Sequence, residues 1–232
     1  MPIPRAVAEN LWVIDDLMSL PLGVRMPIRA TVVRLADGAL WVHSPTPLTP
    51  ELAADVEALG PVRDLIAPSR LHHRGLAPWA ARFPQARLWA APGLAAKRPD
   101  IPFAGVLGSG APPPWAGEVA ALPIAGAPTF GEVAFFHRAS RSLLCADLVF
   151  NIRRPATWMT AFTLTMMGTR GRFAMSRAWR RFARDRAALK QSIEQLLAWD
   201  FVRVIPAHGE VFDGDGGDAR AATRTALAWM LR

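Results

Sequence analysis

The sequence predicts an α/β fold in which two β-sheets pack against each other and helices cover both outer faces. Apolar residues make up 51% of the 232 residues and charged residues 20%, which allows a sizeable core. Two strand-rich halves are separated by a proline- and glycine-rich connection over residues 99–117. Polar residues that could carry chemistry follow apolar strands, where open α/β sheets usually place a site. These observations predict a four-layer αββα sandwich.

The first half of the chain alternates predicted strands with turns and two helices. Asp37 and Gly38 form a hairpin turn signal between two segments that have the β-branched bias of strands. Thr49 is expected to cap the first helix, and Gly60 to end it. The predicted strands are 11–14, 30–35, 39–43, 64–67 and 87–90, and the predicted helices are 50–59 and 76–83.

The second half begins with three predicted strands and then becomes mainly helical. The strands are 118–122, 132–138 and 142–146; helical spacing begins at Arg177, and a strand at 202–205 precedes a helix at 218–231. No linker or repeat divides the chain. Residues 1–232 are therefore expected to form one domain, in which 155–200 is a helical insertion that covers the fold between its two halves.

Positive charge is concentrated in one segment. The formal net charge is +8, and residues 170–190 contain eight basic residues against one acidic residue. A local basic face can attract an acidic substrate, an anionic membrane or nucleic acid. A solvated helix face is the more ordinary explanation of such a run.

Cysteine usage and the chain start bear on location. Cys145 is the single cysteine, which excludes an intrachain disulfide and a cysteine-rich zinc module. A reducing cytoplasm is therefore the expected compartment. The first residues lack the basic start and apolar run of a signal peptide, and no run reaches the length that spans a bilayer.

Three of the five histidines and one aspartate follow predicted strands. His72 and His73 lie in a turn after the strand at 64–67, and His208 follows the last strand. Neutral imidazoles are common zinc ligands, and two adjacent histidines in a turn can converge on one ion. Asp147 ends an apolar strand, where a buried charge needs a partner such as a metal ion. Hydrogen bonds to turns and helix ends are the alternative roles for all four.

The order of these residues resembles the metallo-β-lactamase superfamily, in which a histidine-rich turn is followed by strand–Asp and strand–His-Gly. The superfamily motif H-x-H-x-D-H-x-G, laid on this chain, places His72 at the Asp, His73 at the last His and Gly75 at the Gly. Pro68 and Arg70 replace the two leading histidines. Part of the metal-binding pattern is therefore absent.

In the binuclear members of the superfamily, the ligand positions that are missing here serve one metal ion, and the positions that still carry ligating residues serve the other. Residues 126–132, where the middle histidine is expected, contain none. The resemblance therefore implies one metal ion, most simply Zn²⁺ with Fe or Mn as alternatives, held by His72, His73, Asp147 and His208. The sequence over residues 10–212 also resembles a poorly characterised branch of the superfamily, although Ser69 stands where Asn is expected in that branch.

Several further residues are candidates for supporting roles. His137 and Glu210 are expected to support the metal ligands from a second layer, whereas His43 is expected to be structural. The superfamily often inserts substrate-binding elements between the Asp and the last His. The substrate-facing candidates there are Trp158, Phe162, Met166, Met167, Phe173, Arg177 and Arg181.

The leading functional hypothesis is a metal-dependent hydrolase that acts on an ester, thioester, amide or phosphoester of a small, anionic molecule. Four protein ligands would nearly close a tetrahedral zinc site, which is a difficulty for catalysis. The alternative is a non-catalytic relative that binds a lipid, a membrane surface or a protein. Nucleic-acid processing ranks last, because no pattern of stacking aromatic residues accompanies the basic run.

Overall fold

The first sheet contains seven strands that lie side by side in chain order. The structure, a computed structural model, describes residues 2–214 and 216–232. The strands are β1 (Arg5–Ala8), β2 (Leu11–Ser19), β3 (Arg25–Arg34), β4 (Leu40–His43), β5 (Val62–Ala67), β6 (Arg87–Ala90) and β7 (Gly105–Val106). The pairs from β1 to β4 are antiparallel, and those from β4 to β7 are parallel.

Parallel strands need crossover connections, and three helices supply them here. They are α1 (Pro50–Glu57), α2 (Leu76–Arg82) and α3 (Leu94–Lys97). The Thr49 hydroxyl accepts a hydrogen bond from the Leu52 amide at 3.2 Å, which confirms Thr49 as the cap of α1.

The second sheet has four strands in the order β11–β10–β9–β8. They are β8 (Val119–Pro123), β9 (Val133–His137), β10 (Ser142–Cys145) and β11 (Arg203–Pro206). β8, β9 and β10 form an antiparallel meander, whereas β11 pairs with β10 in parallel. The loops that follow β10 and β11 therefore leave the sheet at the same edge.

Four helices belong to the second half of the chain. The crossover from β10 to β11 contains α4 (Trp158–Met167), α5 (Ala178–Phe182) and α6 (Arg186–Leu197), and α7 (Ala219–Ala226) follows β11. Asp185 and Asp218 accept backbone amide hydrogens at the starts of α6 and α7. The segment 155–200 contains these three helices, separated by loops. No helix in the described part of the chain is long and apolar enough to cross a membrane.

Strand alternation distributes the core over three layers. Trp41, Ile66, Phe135 and Leu144 point between the two sheets, and their neighbours along the same strands point outward. The outward side chains of the first sheet pack under α1 and α2. Those of the second sheet pack under α5, α6 and α7. This arrangement confirms the predicted αββα sandwich.

The arm formed by the far ends of β2 and β3 differs from the prediction. Residues 15–19 and 25–29 continue these strands, although Asp15, Asp16 and Pro27 interrupt the expected apolar pattern. The buried Arg29 guanidinium pairs with Asp15 at 2.5 Å and donates to the Pro206 carbonyl at 3.1 Å. Tertiary contacts thus stabilise strand structure that local propensity does not predict.

His43 occupies an apolar position in the layer between the sheets. It is 1% exposed, packs against the rings of Trp41 and Phe135, and has no hydrogen-bond partner on either ring nitrogen among the described residues. Burial, followed by the nearby His72, lowers the pKa of His43 from 6.5 to about 3. His43 is therefore a neutral core residue, which agrees with the structural role expected from the sequence.

This burial predicts a specific acid sensitivity. Between pH 6.5 and 3 the unfolded chain protonates His43 and the folded chain does not, so stability should fall as the pH decreases through this window. His43→Leu should remove up to about 1.4 kcal/mol per pH unit from that dependence. The measurement is urea unfolding at a series of pH values. Phe135→Leu is the matched control, because it alters the core beside His43 without removing a titratable group and should keep the wild-type slope. An unchanged slope in His43→Leu would contradict the assignment.

Candidate metal centre

Three side chains from three loops meet at one edge of the sandwich. His72 follows β5, Asp147 follows β10 and His208 follows β11. The two histidine Nε2 atoms lie 3.2 Å apart. His72 Nε2 is 3.4 Å from Asp147 Oδ2, and His208 Nε2 is 3.4 Å from Asp147 Oδ1. These residues form a group whose ligand atoms all lie within 4.8 Å of one another.

The turn after β5 fixes the position of His72. The buried Ser69 hydroxyl accepts hydrogen bonds from the backbone amides of Leu71 and His72, at 3.2 and 3.1 Å. Ser69 can therefore order this turn in place of the asparagine expected there. Across the cleft, the Ser44 hydroxyl lies 2.9 Å from His72 Nδ1. This contact holds the ring so that Nε2 points to the centre.

His208 is held from both sides. Its Nδ1 lies 2.7 Å from the Pro27 carbonyl, which can only accept, so the neutral ring carries its proton on Nδ1 and its lone pair on Nε2. The ring stacks on Phe150 with centroids 4.8 Å apart. Gly209, with φ of +95°, lets the chain turn here, because a Cβ would lie 2.2 Å from the Asn151 carbonyl oxygen.

A second buried carboxylate organises the loop that carries Asp147. Glu132 Oε1 accepts hydrogen bonds from the amides of Ala146 and Leu148 at 2.9 and 3.0 Å, and Oε2 accepts from the Asp147 amide at 2.9 Å. The indole of Trp179 donates to the Asp147 carbonyl at 2.9 Å. The backbone on both sides of Asp147 is therefore fixed from below.

The two carboxyl groups have opposite electrostatic surroundings. Burial, and next the charge of Asp147, raise the pKa of Glu132 above its usual range, while the three amides oppose this shift. Burial also disfavours the charged form of Asp147, but His72 and His208 outweigh it and hold the pKa of Asp147 well below its usual range. Negative charge is thus concentrated on Asp147, at the centre of the group.

The donor set suits a cation. Asp147 Oδ2 is buried without a hydrogen-bond partner, and the Nε2 atoms of His72 and His208 lie 3.4 Å from Oδ2 and Oδ1 respectively. Three converging lone pairs around one point leave the carboxylate and imidazoles under-satisfied unless a positive charge lies between them. Two imidazoles and one carboxylate are ligands for Zn²⁺ and for Fe²⁺. The residues present therefore fit a single divalent metal ion.

The group opens into a large cavity. Its volume is about 770 Å³, within the range of small-molecule sites. Besides the three polar residues, the wall is mostly apolar and the remaining polar groups include two basic residues, Arg74 and Lys97. The apolar part of the wall includes Met18, Leu20, Met26, Ile28, Leu71, Phe150 and Met167.

The fourth predicted ligand, His73, is not part of this group. Its Nδ1 accepts a hydrogen bond from the Arg98 guanidinium at 3.1 Å. Burial, followed by the charges of Lys97, Arg98 and Arg74, lowers the pKa of His73. The structure thus reduces the predicted set of four to three, because adjacent residues in this turn point in different directions. His73 still lines the cavity.

The two predicted supporting residues lie elsewhere. His137 ends β9 opposite Ser142 and bonds the Ser140 hydroxyl at 2.7 Å. Because β9 and β10 are antiparallel, His137 is at the end of β10 remote from Asp147. The orienting partner of His208 is the Pro27 carbonyl rather than Glu210, whose backbone bonds Asn151.

The predicted substrate-facing residues also need correction, because most of them face away from the cavity. Trp158, Phe162 and Met166 form an exposed stripe on α4, and only Met167 of this segment contributes to the cavity wall. Arg177 lies against Gly168 and Arg181 lies over the ring of Phe182. Phe173 stacks on Phe212 with centroids 4.0 Å apart.

Sequence patterns did not assign roles to Glu132, Ser44 or Ser69. A charged residue that opens an otherwise apolar strand was the available signal for Glu132, since such a residue needs partners. Ser44 has a positive φ of 52°, which is a property of the backbone that its sequence context does not reveal.

Glu132→Ala should destabilise the protein strongly, because it leaves three buried amides without their acceptor. A loss of roughly 3 kcal/mol or more is expected from such donors. Glu132→Gln should recover part of this loss, since its carbonyl can still accept from Ala146 and Leu148. Urea unfolding measures both. Glu118→Ala is the control, because the Glu118 carboxylate accepts from the single amide of Ala36. Equal losses at positions 132 and 118 would refute the role of Glu132.

Comparison with known proteins agrees with this architecture. The metallo-β-lactamase from Pontibacter korlensis superposes with a TM-score of 0.66 at 12% identity, covering 99% of each chain. That from Hirschia baltica gives 0.67 at 13% identity, covering 100% of this chain and 99% of the other. The metal-soaked Flv1 flavodiiron core from Synechocystis sp. PCC6803 gives 0.65 at 11% identity, covering 99% of this chain and 60% of that one.

Comparison of the sequence with known proteins identifies one family. No curated protein sequence matches the chain. The family described as "Domain of unknown function (DUF4336)" matches residues 8–172, which is more than half of the chain and includes His72 and Asp147. The chain therefore belongs to the DUF4336 family, and it has the metallo-β-lactamase fold in a highly divergent form.

Proposed function

We propose that this protein is a metal-dependent hydrolase that uses one divalent metal ion held by His72, Asp147 and His208. The observation that carries the proposal is the convergence of these ligand atoms within 4.8 Å at the wall of a 770 Å³ cavity. The likeness to metallo-β-lactamases in fold supports a hydrolytic reaction in general terms. Zn²⁺ is the preferred ion and Fe²⁺ the alternative, because both accept two imidazoles and a carboxylate.

A set of three ligands suits catalysis better than the predicted four. Catalytic zinc sites usually have three protein ligands and keep another position open. Because His73 lies outside the ligand group, the difficulty of a closed tetrahedral site does not arise. The bound ion would supply Lewis acidity, which activates water and polarises a carbonyl or phosphoryl oxygen.

The residues of the chain have separate roles in this proposal. The protonated Nδ1 of His208, fixed on the Pro27 carbonyl, keeps Nε2 available as a ligand. The Ser44 hydroxyl, 2.9 Å from Nδ1, holds the ring of His72 with Nε2 directed to the centre. Glu132 holds the Asp147 loop by its three amides and thereby keeps the carboxylate directed at the two histidines.

The cavity wall indicates the class of substrate. Its methionine, leucine and phenylalanine side chains favour an apolar group, while Arg74 and Lys97 favour an acidic one. The proposed substrate is therefore an ester or thioester of an apolar acyl group that also carries a negative charge. A phosphoester with an apolar substituent satisfies the same two requirements.

Metal content tests the ligand set directly. Purified protein should hold at most one transition-metal ion per chain by elemental analysis. Asp147→Ala and His208→Ala should lower metal affinity about tenfold or more, since even outer partners of metal ligands contribute that much. His73→Ala, adjacent to a ligand but outside the group, is the matched control and should retain the metal. Two tightly bound ions per chain, or full occupancy in His208→Ala, would contradict the proposal.

Hydrolysis of a series of synthetic substrates tests the reaction. The metal-loaded protein should cleave nitrophenyl esters and thioesters with long acyl chains faster than acetates, because the cavity wall is apolar. Substrates with an added carboxylate should have lower KM. Asp147→Ala should lose at least about a hundredfold in kcat/KM. Equal turnover by wild type and Asp147→Ala would show that the metal site does not carry the activity.

A further inference from the structure

The outer face of α4 is apolar, although it faces solvent. Trp158, Phe162 and Met166 follow one another at helical spacing and are 77%, 56% and 62% exposed. The helix contains no charged residue, and the residues buried beneath it are Thr160 and Leu164. A surface helix of a soluble domain normally shows the reverse pattern. This face therefore lacks a partner.

A second element extends the same surface. The 3-10 turn Pro21–Gly23 carries Leu22, which is 82% exposed and has a positive φ of 61°. The Thr157 hydroxyl donates to the Gly23 carbonyl at 3.0 Å, and Thr160 Oγ1 bonds both the amide and the carbonyl of Arg25. The turn is thus fixed beside the start of α4. We call Leu22, Trp158, Phe162 and Met166 the α4 patch.

The charged residues that flank α4 in the sequence are all cationic. Residues 149–184 contain eight arginines and no aspartate or glutamate. Arg25 and Arg170 are exposed, and their backbones bond Thr160 and Leu164 of α4. An exposed apolar stripe with a tryptophan at its start, bordered by arginines, is the arrangement of helices that lie in the interface of an anionic bilayer.

We infer that the α4 patch docks on the surface of a membrane that contains anionic lipids. The apolar side chains would enter the boundary between headgroups and acyl chains, and the arginines would contact lipid phosphates. The inner side of α4 packs through Leu164 with Leu20 and Met26, which also line the cavity. Met167, at the end of α4, lines it as well. Docking would therefore place the apolar cavity next to lipid. The inference does not depend on metal binding or turnover.

Co-sedimentation with lipid vesicles tests the inference. The protein should bind vesicles of phosphatidylcholine mixed with phosphatidylglycerol more tightly than vesicles of phosphatidylcholine alone, and added salt should weaken binding. Trp158→Ser/Phe162→Ser should reduce partitioning about tenfold or more. Arg25→Glu and Arg170→Glu should each reduce it about fivefold or more. All four side chains are exposed, so the variants should fold, and circular dichroism checks this.

Matched controls lie at the opposite end of the second sheet. Val202→Ser replaces an exposed apolar residue, and Arg138→Glu reverses an exposed arginine. Both should bind vesicles as wild type does. Absence of wild-type binding to anionic vesicles, or equal binding by the patch variants, would overturn the inference. So would sedimentation showing a dimer that Trp158→Ser/Phe162→Ser dissociates, because a second copy of the chain would then cover the patch.

Discussion

Two backbone hydrogen bonds join the loop that carries His72 to the second sheet. The Val133 amide donates to the Pro68 carbonyl at 2.8 Å, and the Arg70 amide donates to the Phe130 carbonyl at 2.8 Å. His72 belongs to the first sheet, while Asp147 and His208 belong to the second. Together with the contacts of Pro27 with His208 and of Arg29 with the Pro206 carbonyl, this junction fixes the two halves of the site relative to each other. The candidate metal centre is therefore a property of the interface between the sheets.

Beneath that junction, a second buried acid lies beside Asp147. Glu132 lies under the Asp147 loop, and its carboxyl group is surrounded by three amides rather than by a cation. Ionising two neighbouring buried carboxyl groups at once costs free energy, because the two negative charges repel each other. The histidines stabilise the charge on Asp147, while burial and that charge disfavour ionisation of Glu132. The negative charge is therefore concentrated on Asp147, where it can bind a cation.

The same segment of chain serves the cavity and the outer surface. On α4, Met167 faces inward to the cavity, whereas the α4 patch faces outward. A continuous uncharged sequence makes both faces apolar, and helical geometry decides which residue belongs to which. The proposed hydrolase site and the proposed membrane surface therefore share one helix, although each rests on separate residues.

Sequence periodicity determined the layers of this protein. Residues 39–43, 64–67 and 142–146 are nearly continuous apolar runs, which are typical of strands buried on both faces, so two sheets with outer helices follow from the pattern. The resemblance to metallo-β-lactamases pointed to His72, Asp147 and His208, together with His73, because residues that follow strands keep their order along the chain. The Thr49 cap of α1 was predictable from local chemistry alone.

Only the tertiary structure decided which neighbours meet. His72 and His73 are equivalent in the sequence, but the turn ordered by Ser69 directs one to Asp147 and the other to Arg98. Glu132 and Asp147 are fifteen residues apart, and their contact exists because β9 and β10 pair in an antiparallel hairpin. The direction of a side chain in a turn and the register of distant strands depend on long-range packing, which a local pattern does not encode.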